Sequence, residues 1–586
     1  VSGRPSGRGL GLALGLACLS LVCALHARDW RTGDAPDTVV VQWRRGPDAA
    51  ALAAEAARLG LGSGLGEAEL HKALHKMAGA ELKRSLDLIK VDIVRLPGAV
   101  GAAAVDRALA VYRASGLVAT AGPDGPMRMA QAPSSYPPTD LDLAGGQQNL
   151  TDTAWMGAAA AYSAGTIKLQ GQVTVALLDT GVNPGPPADT EFSQGQVLPD
   201  GVSYVEGVFS SADDNGHGTF CAGLLAAFPQ NPSSPSGIYG TFLDPSLIRI
   251  LPVKVLDSCG RGYTSNLTSG VVYAVGQGAR VISMSIAVDE DDPALQSACE
   301  AARDAEVFLV AAAGNDAGAT SYPAAYAQVL AVAALDHADM PASYSNSGKI
   351  DISAPGGDGL SPGYCPCNGP PANASAAQAL VASCPYAIWS LATDYPGCPS
   401  DSPPNLACGL SLAYGYAAGS GTSFACPQVA AAAALLFSQD PGRQVSDVQQ
   451  LLLRSAAATA LGPGYNNRTG WGKLNLLGAL VQTHAGAPAS PLKVYNWPNP
   501  FSPAKDGLTT LTFFLPQPAA ATLSVYDGAG ELVRHWDLGA ASTYAGMNQL
   551  TWDGRNGRGT MAANGAYLLV LQSGGARAVN RIGLLQ

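Results

Sequence analysis

Charge is what this sequence has least of. Asp, Glu, Lys and Arg make up 13% of its 586 residues, where a soluble domain usually carries about a quarter. Nor is there a basic excess: 34 Lys and Arg stand against 45 Asp and Glu, a formal net charge of -11. That excludes a nucleic-acid-binding protein, which needs a basic stripe to neutralise phosphates. The 69 glycines and 41 prolines, about a fifth of the chain, fall short of the roughly 25–30% that marks low-complexity sequence. Beyond residue 30 every apolar stretch is broken by Gly, Pro or polar residues before it reaches the roughly 20 residues of a membrane span. At roughly 100–200 residues per domain, the length calls for several domains with ample core.

What is present begins with a leader. Arg4 and Arg8 supply a basic start, Leu10 to Leu25 is almost wholly apolar, and Ala27 precedes Arg28 and Asp29. Residues 1–27 thus read as an export signal, with an uncleaved anchor or a lipidated Cys18 as alternatives. Secretion or display at a bacterial cell surface is the expected location. Of 11 cysteines, Cys18 and Cys23 leave with the signal. Cys365, Cys367, Cys384, Cys398 and Cys408 crowd into one Pro/Gly/Asn-rich stretch, residues 358–412. In an exported protein this reads as a disulfide-stapled insertion. Zinc is disfavoured, because Cys365-Pro-Cys367 lacks C-x₂-C spacing and no His lies nearby. The odd number that remains predicts at least one free thiol.

Three regions follow. Residues 38–130 form an α+β unit: Val39–Trp43 and Ile89–Leu96 read as strands, Ala49–Leu59 and Val105–Tyr112 as helices. His71 and His75 stand four apart on a helix, but Lys72 occupies the place where a metalloprotease has its Glu. A solvated helix face is the expectation. Over 140–483 short, wholly apolar β-branched runs (Val173–Leu178, Ile248–Val255, Val281–Ser285, Val307–Ala312, Val329–Ala333) alternate with Ala-rich helices. Strands buried on both faces and alternating with helices mean an α/β fold, a doubly wound, mostly parallel sheet. Residues 484–491 are a small-residue linker, and 492–586 alternate apolar and polar between Asp-Gly turns, as a β-sandwich does.

Chemistry concentrates at strand ends and helix starts of the middle region. Asp179 ends Val175-Ala-Leu-Leu-Asp179; His217 lies in Asp214-Asn-Gly-His217-Gly-Thr; Ser423 lies in Gly421-Thr-Ser423-Phe-Ala-Cys-Pro427. A nucleophilic Ser needs a base to take its proton and an acid to hold that base in the right tautomer. In the order Asp–His–Ser these three supply the set. Asn315, after the apolar run Ala311–Ala313 and Gly314, offers an amide N–H to a developing oxyanion beside the Ser423 backbone N–H. Cys221 and Cys426 fall on apolar helix faces and read as buried thiols rather than nucleophiles.

With these motifs together, residues 140–480 resemble the subtilisin family of serine endopeptidases (subtilases, peptidase S8), as do Leu251-Pro-Val-Lys-Val-Leu256, Tyr322-Pro-Ala324 and Ser353-Ala-Pro-Gly356. The resemblance implies that Asp179 orients, His217 is base and then acid, Ser423 attacks, and Asn315 stabilises the oxyanion. It implies polypeptide substrates bound as an added strand between Gly260–Tyr263 and Ser285–Val288, and no cofactor for catalysis. Structural calcium occurs in the family, but no ligand set here is specific enough to name, so a metal site is left unknown. Where the family usually has Leu-Gly-Gly after Ser285 this chain has Ile286-Ala-Val288, whose Cβ atoms are expected to narrow the substrate's approach. The insertion 358–412 is expected to border the cleft. By the same resemblance, 38–130 is a propeptide, inhibitor and chaperone, released by self-cleavage around 126–138. The tail, with Tyr495-Asn-Trp-Pro-Asn-Pro-Phe501 and Trp552-Asp-Gly554, resembles FlgD-type Ig-like modules. Some such modules are type IX sorting signals, which implies contact with secretion machinery. A monomer is expected. The rival reading is a catalytically silent surface protein on the same scaffold, and four intact site residues weigh against it.

Overall fold

The computed structural model of the chain describes residues 37–129 apart from 63 and 98–101, then 148–184, 191–228, 240–357, 388–391, 416–481 apart from 463, and 492–585 apart from 498, 504–508, 516–518, 541–542 and 544–545. The expected signal, the linker, most of the Cys-rich insertion and the self-cleavage stretch beyond Met129 lie outside these residues. The chain divides into two compact units, Val1–Gly125 and Pro126–Gln586.

In the first unit four antiparallel strands, β1 (Thr38–Trp43), β2 (Glu81–Leu86), β3 (Val91–Arg95) and β4 (Val118–Pro123), lie in the order β2-β3-β1-β4. Helices α1 (Ala49–Arg58), α2 (Glu67–Met77) and α3 (Ala102–Arg113) accompany them. Asp48 starts α1 by accepting the Ala51 N–H at 2.8 Å, satisfying one of the donors that a helix start leaves unpaired. Val39, Val41, Val94, Leu70, Leu74, Leu109 and Tyr112 make the core. The solvated face expected for the two histidines of α2 is not what forms. His75 is buried, its Nδ1 2.9 Å from the Tyr112 hydroxyl and its Nε2 3.1 Å from Asp92 Oδ2. Asp92 also accepts from Trp43 Nε1 at 2.9 Å and Ser85 Oγ at 2.6 Å. The α2 face carrying Leu70 and Leu74 is wide enough to take both rings inside, because β1 and β3 present Trp43 and Asp92 to receive them.

His71 stacks on the Trp43 ring at 3.5 Å between centroids, and burial pushes its pKa down to about 4. The folded unit therefore binds this proton less readily than the unfolded chain, whose His titrates near 6.5. Stability from this group is complete above about pH 6.5 and is lost as pH falls towards 4, by about 3 kcal/mol at most. Hydrogen exchange of β1 and α2 in the full chain is expected to lose protection over that window, and His71→Gln to flatten the loss. An unchanged acid profile in the variant would remove His71 from the account.

The second unit is built on a seven-stranded sheet in the order β14-β13-β12-β10-β6-β8-β7. Its strands are β6 (Val173–Asp179), β7 (Val202–Ser203), β8 (Ile248–Lys254), β10 (Val281–Met284), β12 (Phe308–Ala312), β13 (Val329–Leu335) and β14 (Ile352–Pro355), and every pairing is parallel. All seven residues of β13 are buried, as the all-apolar runs require. Helices α4 (His217–Ala226), α5 (Thr264–Gly276) and α6 (Pro293–Asp304) join the strands, and α7 (Thr422–Gln439) packs along β10, β12, β13 and β14. The chain winds from β6 to β8 on one side and then starts again with β10 on the other. The crevice at the carboxyl ends of β6 and β10 is thus the switch point, where such sheets hold their sites.

Three short strands form a separate ribbon. β5 (Pro126–Met129) lies antiparallel between β9 (Arg261–Tyr263) and β11 (Ile286–Ala287). β15 (Ile388–Leu391), within the insertion, pairs with β16 (Tyr416–Gly419), just past its end, and Ser390 Oγ donates to the Phe220 carbonyl at 2.6 Å, so this part rests on α4. At the C-terminal end, antiparallel sheets of three and four strands enclose Phe501, Leu511, Phe513, Leu523, Trp552, Leu569 and Ile582. Among the described residues no helix is long and apolar enough to cross a membrane.

Candidate active site

Asp179 is the last residue of β6, His217 the first of α4 and Ser423 the second of α7, and all three are buried. Asp179 Oδ1 lies 2.7 Å from His217 Nδ1 and also accepts the Thr180 N–H at 2.7 Å. With Nδ1–H donated to the carboxylate, the lone pair of the neutral ring is on Nε2. That atom is buried with no hydrogen-bond partner among the described residues.

The loop before His217 is held by a carboxylate that sequence reasoning passed over. Buried Asp213 accepts from Thr180 Oγ1 (2.8 Å), Asn215 N (3.0 Å) and Gly216 N (2.8 Å) through Oδ1, and from Thr219 N (2.8 Å) and Thr219 Oγ1 (2.6 Å) through Oδ2. Five donors on one carboxylate tie the end of β6 to the start of α4. The close approach also needs glycine, since a Cβ on Gly218 would run into the Gly181 carbonyl. Lys254, fully buried at the end of β8, donates to the Thr180 carbonyl (2.6 Å) and to Asp214 Oδ1 (2.5 Å). In the sequence Asp213 stands beside Asp214, and nothing in that pair shows which acid turns inward.

The setting of Ser423 follows from Pro427. Proline has no N–H, so within α7 the carbonyl four residues earlier, that of Ser423, loses its helical donor. Two side chains replace it: Ser285 Oγ donates to that carbonyl at 2.8 Å and Cys221 Sγ at 3.5 Å. The Ser423 hydroxyl in turn donates to the Ser285 carbonyl at 3.3 Å, long for a bond between a hydroxyl and a carbonyl. Cys221 is thereby accounted for as a buried free thiol, and Cys299 and Cys426 are free and buried too. Burial pushes the Cys221 thiol well up. Its sulfur, Asp179 and His217 lie within 4.8 Å of one another, yet a protonated thiol and an Nδ1 already held by a carboxylate do not fit a metal ion.

Asn315 stands two residues beyond the buried Ala313, after Gly314 at φ +106°. Its Oδ1 accepts from the Thr422 N–H (3.0 Å) and Thr422 Oγ1 (2.9 Å). Two donors on one side settle which way the amide faces, and its Nδ2 is left with no partner among the described residues. The loop is anchored by buried Asn346, whose Oδ1 accepts from the Asp316 and Gly318 N–H groups at 2.9 Å each. All four residues singled out in the sequence thus meet at the carboxyl edge of the sheet, around β6, β10 and β12.

The segments expected to flank a bound peptide, Gly260–Tyr263 and Ser285–Val288, do flank a strand, and it is the chain's own β5. Arg128 pairs with Ala287 and Arg261, Met129 with Ile286, and the Met129 N–H donates to the Gly260 carbonyl at 3.1 Å. The Cβ atoms at Ile286-Ala-Val288 do not obstruct this pairing. They are buried behind the strand, because side chains leave a strand perpendicular to its hydrogen-bonding edge.

A family model described as the subtilase family matches residues 170–472, over half of the chain. The chain belongs to the subtilase family. A second model, the FlgD Ig-like domain, matches residues 499–576. Thermitase of Thermoactinomyces vulgaris is 33% identical over 284 residues, 48% of this subtilase and 80% of thermitase. Subtilisin Savinase of Lederbergia lenta is 32% identical over 305 residues, 52% of this chain and 88% of that protein. A cell wall-associated protease of Bacillus subtilis is 32% identical over 285 residues, but the match spans only 25% of its length. Fervidolysin from Fervidobacterium pennivorans, described as a keratinolytic enzyme related to subtilisin, shares the fold at a TM-score of 0.55 and 18% identity, over 92% of this chain and 70% of its own.

Proposed function

We propose that this subtilase is an exported endopeptidase, made as a zymogen, that cleaves polypeptides through Ser423, His217 and Asp179. The observation that carries the reading is the buried 2.7 Å Asp179–His217 pair with Nε2 unpartnered at the helix end bearing Ser423. As Ser423 Oγ bonds to the scissile carbonyl carbon, His217 Nε2 takes its proton, and Asp179 stabilises the imidazolium. The carbonyl π electrons move to oxygen, where Asn315 Nδ2–H and the Ser423 N–H receive the charge. His217 then passes the proton to the leaving amine, and water repeats the sequence on the acyl-enzyme. No cofactor enters this chemistry. Residues 38–130 act as inhibitor and chaperone, and β5 is the end of that segment lying where substrate lies. The FlgD-type domain, by its likeness to secreted modules, serves export or surface attachment.

The test is labelling of secreted protein with a fluorophosphonate, with casein hydrolysis alongside. A labelled peptide containing Ser423, together with casein cleavage, supports the reading; absence of both overturns it. Asn315→Ala is expected to lower kcat by about 10²–10³ with KM little changed, the size of the effect of the oxyanion amide in subtilisin itself. A loss confined to KM would instead make Asn315 a ground-state contact.

A further inference from the structure

The strand in the cleft carries one charged side chain, and the rim answers it twice. Arg128 Nη1 donates to Asp289 Oδ1 at 2.9 Å and Oδ2 at 3.1 Å, and its Nη2 to Asp316 Oδ2 at 2.7 Å. The two carboxylates come from separate loops, one just past β11 and the other next to Asn315, and they take one guanidinium between them. A planar fork with five donors can meet two carboxylates in this way, while a lysine ammonium meets them only as a point charge.

The register says where on a substrate this contact falls. Ala287 pairs with Arg128 and Ile286 with Met129. One step further along the cleft is Ser285, whose carbonyl takes the Ser423 hydroxyl. A peptide lying in the register of β5 therefore presents the residue opposite Ser285 to the nucleophile, and the residue opposite Ala287 precedes it by two. We propose that Asp289 and Asp316 form a subsite selecting an arginine two residues before the one whose carbonyl is attacked. In the chain itself the arginine is Arg128, so one contact serves both as the inhibitory anchor and as the template of substrate preference. The inference rests on the peptidase reading and deepens it.

The side chains are partly exposed, 41% for Arg128, 72% for Asp289 and 57% for Asp316, so solvent screening keeps the effect moderate. The expected preference is about tenfold in kcat/KM, equal to about 1.4 kcal/mol. The test compares the p-nitroanilides of Pro-Met-Arg-Met-Ala, Pro-Met-Lys-Met-Ala and Pro-Met-Gln-Met-Ala on the mature enzyme at low salt. The arginine peptide is expected to lead the glutamine peptide about tenfold, with lysine between. The ratio should shrink in 0.5 M salt and fall to about one in the Asp289→Asn, Asp316→Asn double variant. Equal hydrolysis of the three peptides by the wild-type enzyme overturns the subsite and leaves the peptidase reading standing. A preference that survives in the double variant also overturns it. Failure to hydrolyse any of the peptides or casein overturns the peptidase reading instead.

Discussion

Replacing Ser423 with alanine is expected to lower peptide hydrolysis by about 10⁶-fold, the size of the loss known for subtilisin itself when its nucleophile is removed. The protein around it should fold unchanged. Alanine suits a helix better than serine, and the bond of the hydroxyl to the Ser285 carbonyl is a long one, 3.3 Å. That carbonyl also belongs to the rim where a substrate pairs, so it is not orphaned in the complex. The residual rate, about 10³–10⁴ over water, should come from Asn315 and from binding alone, since neither depends on Oγ. The variant is expected to stay full length, to lose fluorophosphonate labelling entirely, and to bind the arginine-containing peptide with unchanged affinity once the first 130 residues are removed by another protease. A variant that still matures, or still labels, would place the nucleophile elsewhere. A wild-type protein as inert as the variant would favour the silent scaffold.

How much of this was legible in the residues depended on how local the cause was. Asp179, His217, Ser423 and Asn315 stand at element boundaries next to apolar runs, so the run locates the element and the boundary locates the reactive group. Five of the seven strands of the sheet, β6, β8, β10, β12 and β13, declare themselves the same way, with observed spans that differ from the expected ones by one or two residues at the ends, while β7 and β14 carry no such run. The contacts that hold the site together were not legible. Asp213 receives its five donors only when the end of β6 meets the start of α4. The reason that Cys221 faces the Ser423 carbonyl is a missing N–H at Pro427, on a different helix. His75 looked solvated because its partners, Tyr112 and Asp92, come from elements 37 and 17 residues away. The strand Pro126-Met-Arg-Met129 is too short for its alternation to declare a strand, and its pairing with β11 spans a sequence separation that only the folded sheet closes. Arg128 and Asp289 are 161 residues apart, so no reading of neighbours could join them.

Asp179→Asn is expected to cost up to about 10⁴ in kcat, the loss for the same change in a serine protease triad of another fold, where the wrong tautomer results, and here the surroundings decide which loss applies. The carboxylate oxygen that faces His217 also accepts the Thr180 N–H, 2.7 Å in each case. An asparagine has two ways to sit. With its amide nitrogen towards the ring it donates to Nδ1, forces the proton onto Nε2 and removes the base, while setting two donors against each other at Thr180. With its oxygen towards the ring it keeps the tautomer and the Thr180 bond, but it brings no charge to the imidazolium that forms in the transition state. The pair is wholly buried, so water does not make up for the lost charge, and each arrangement is deficient at a different step. The two are separable by pH. The first leaves a hydrolysis rate that climbs as hydroxide replaces the absent base; the second leaves a bell-shaped profile of normal form and reduced height. The Thr180 donor favours the second, so a bell-shaped profile of reduced height, lowered by less than the roughly 10⁴-fold of the reversed tautomer, is the expected result for purified, correctly folded variant. A loss of tenfold or less would show that Asp179 does not act on His217 during the reaction.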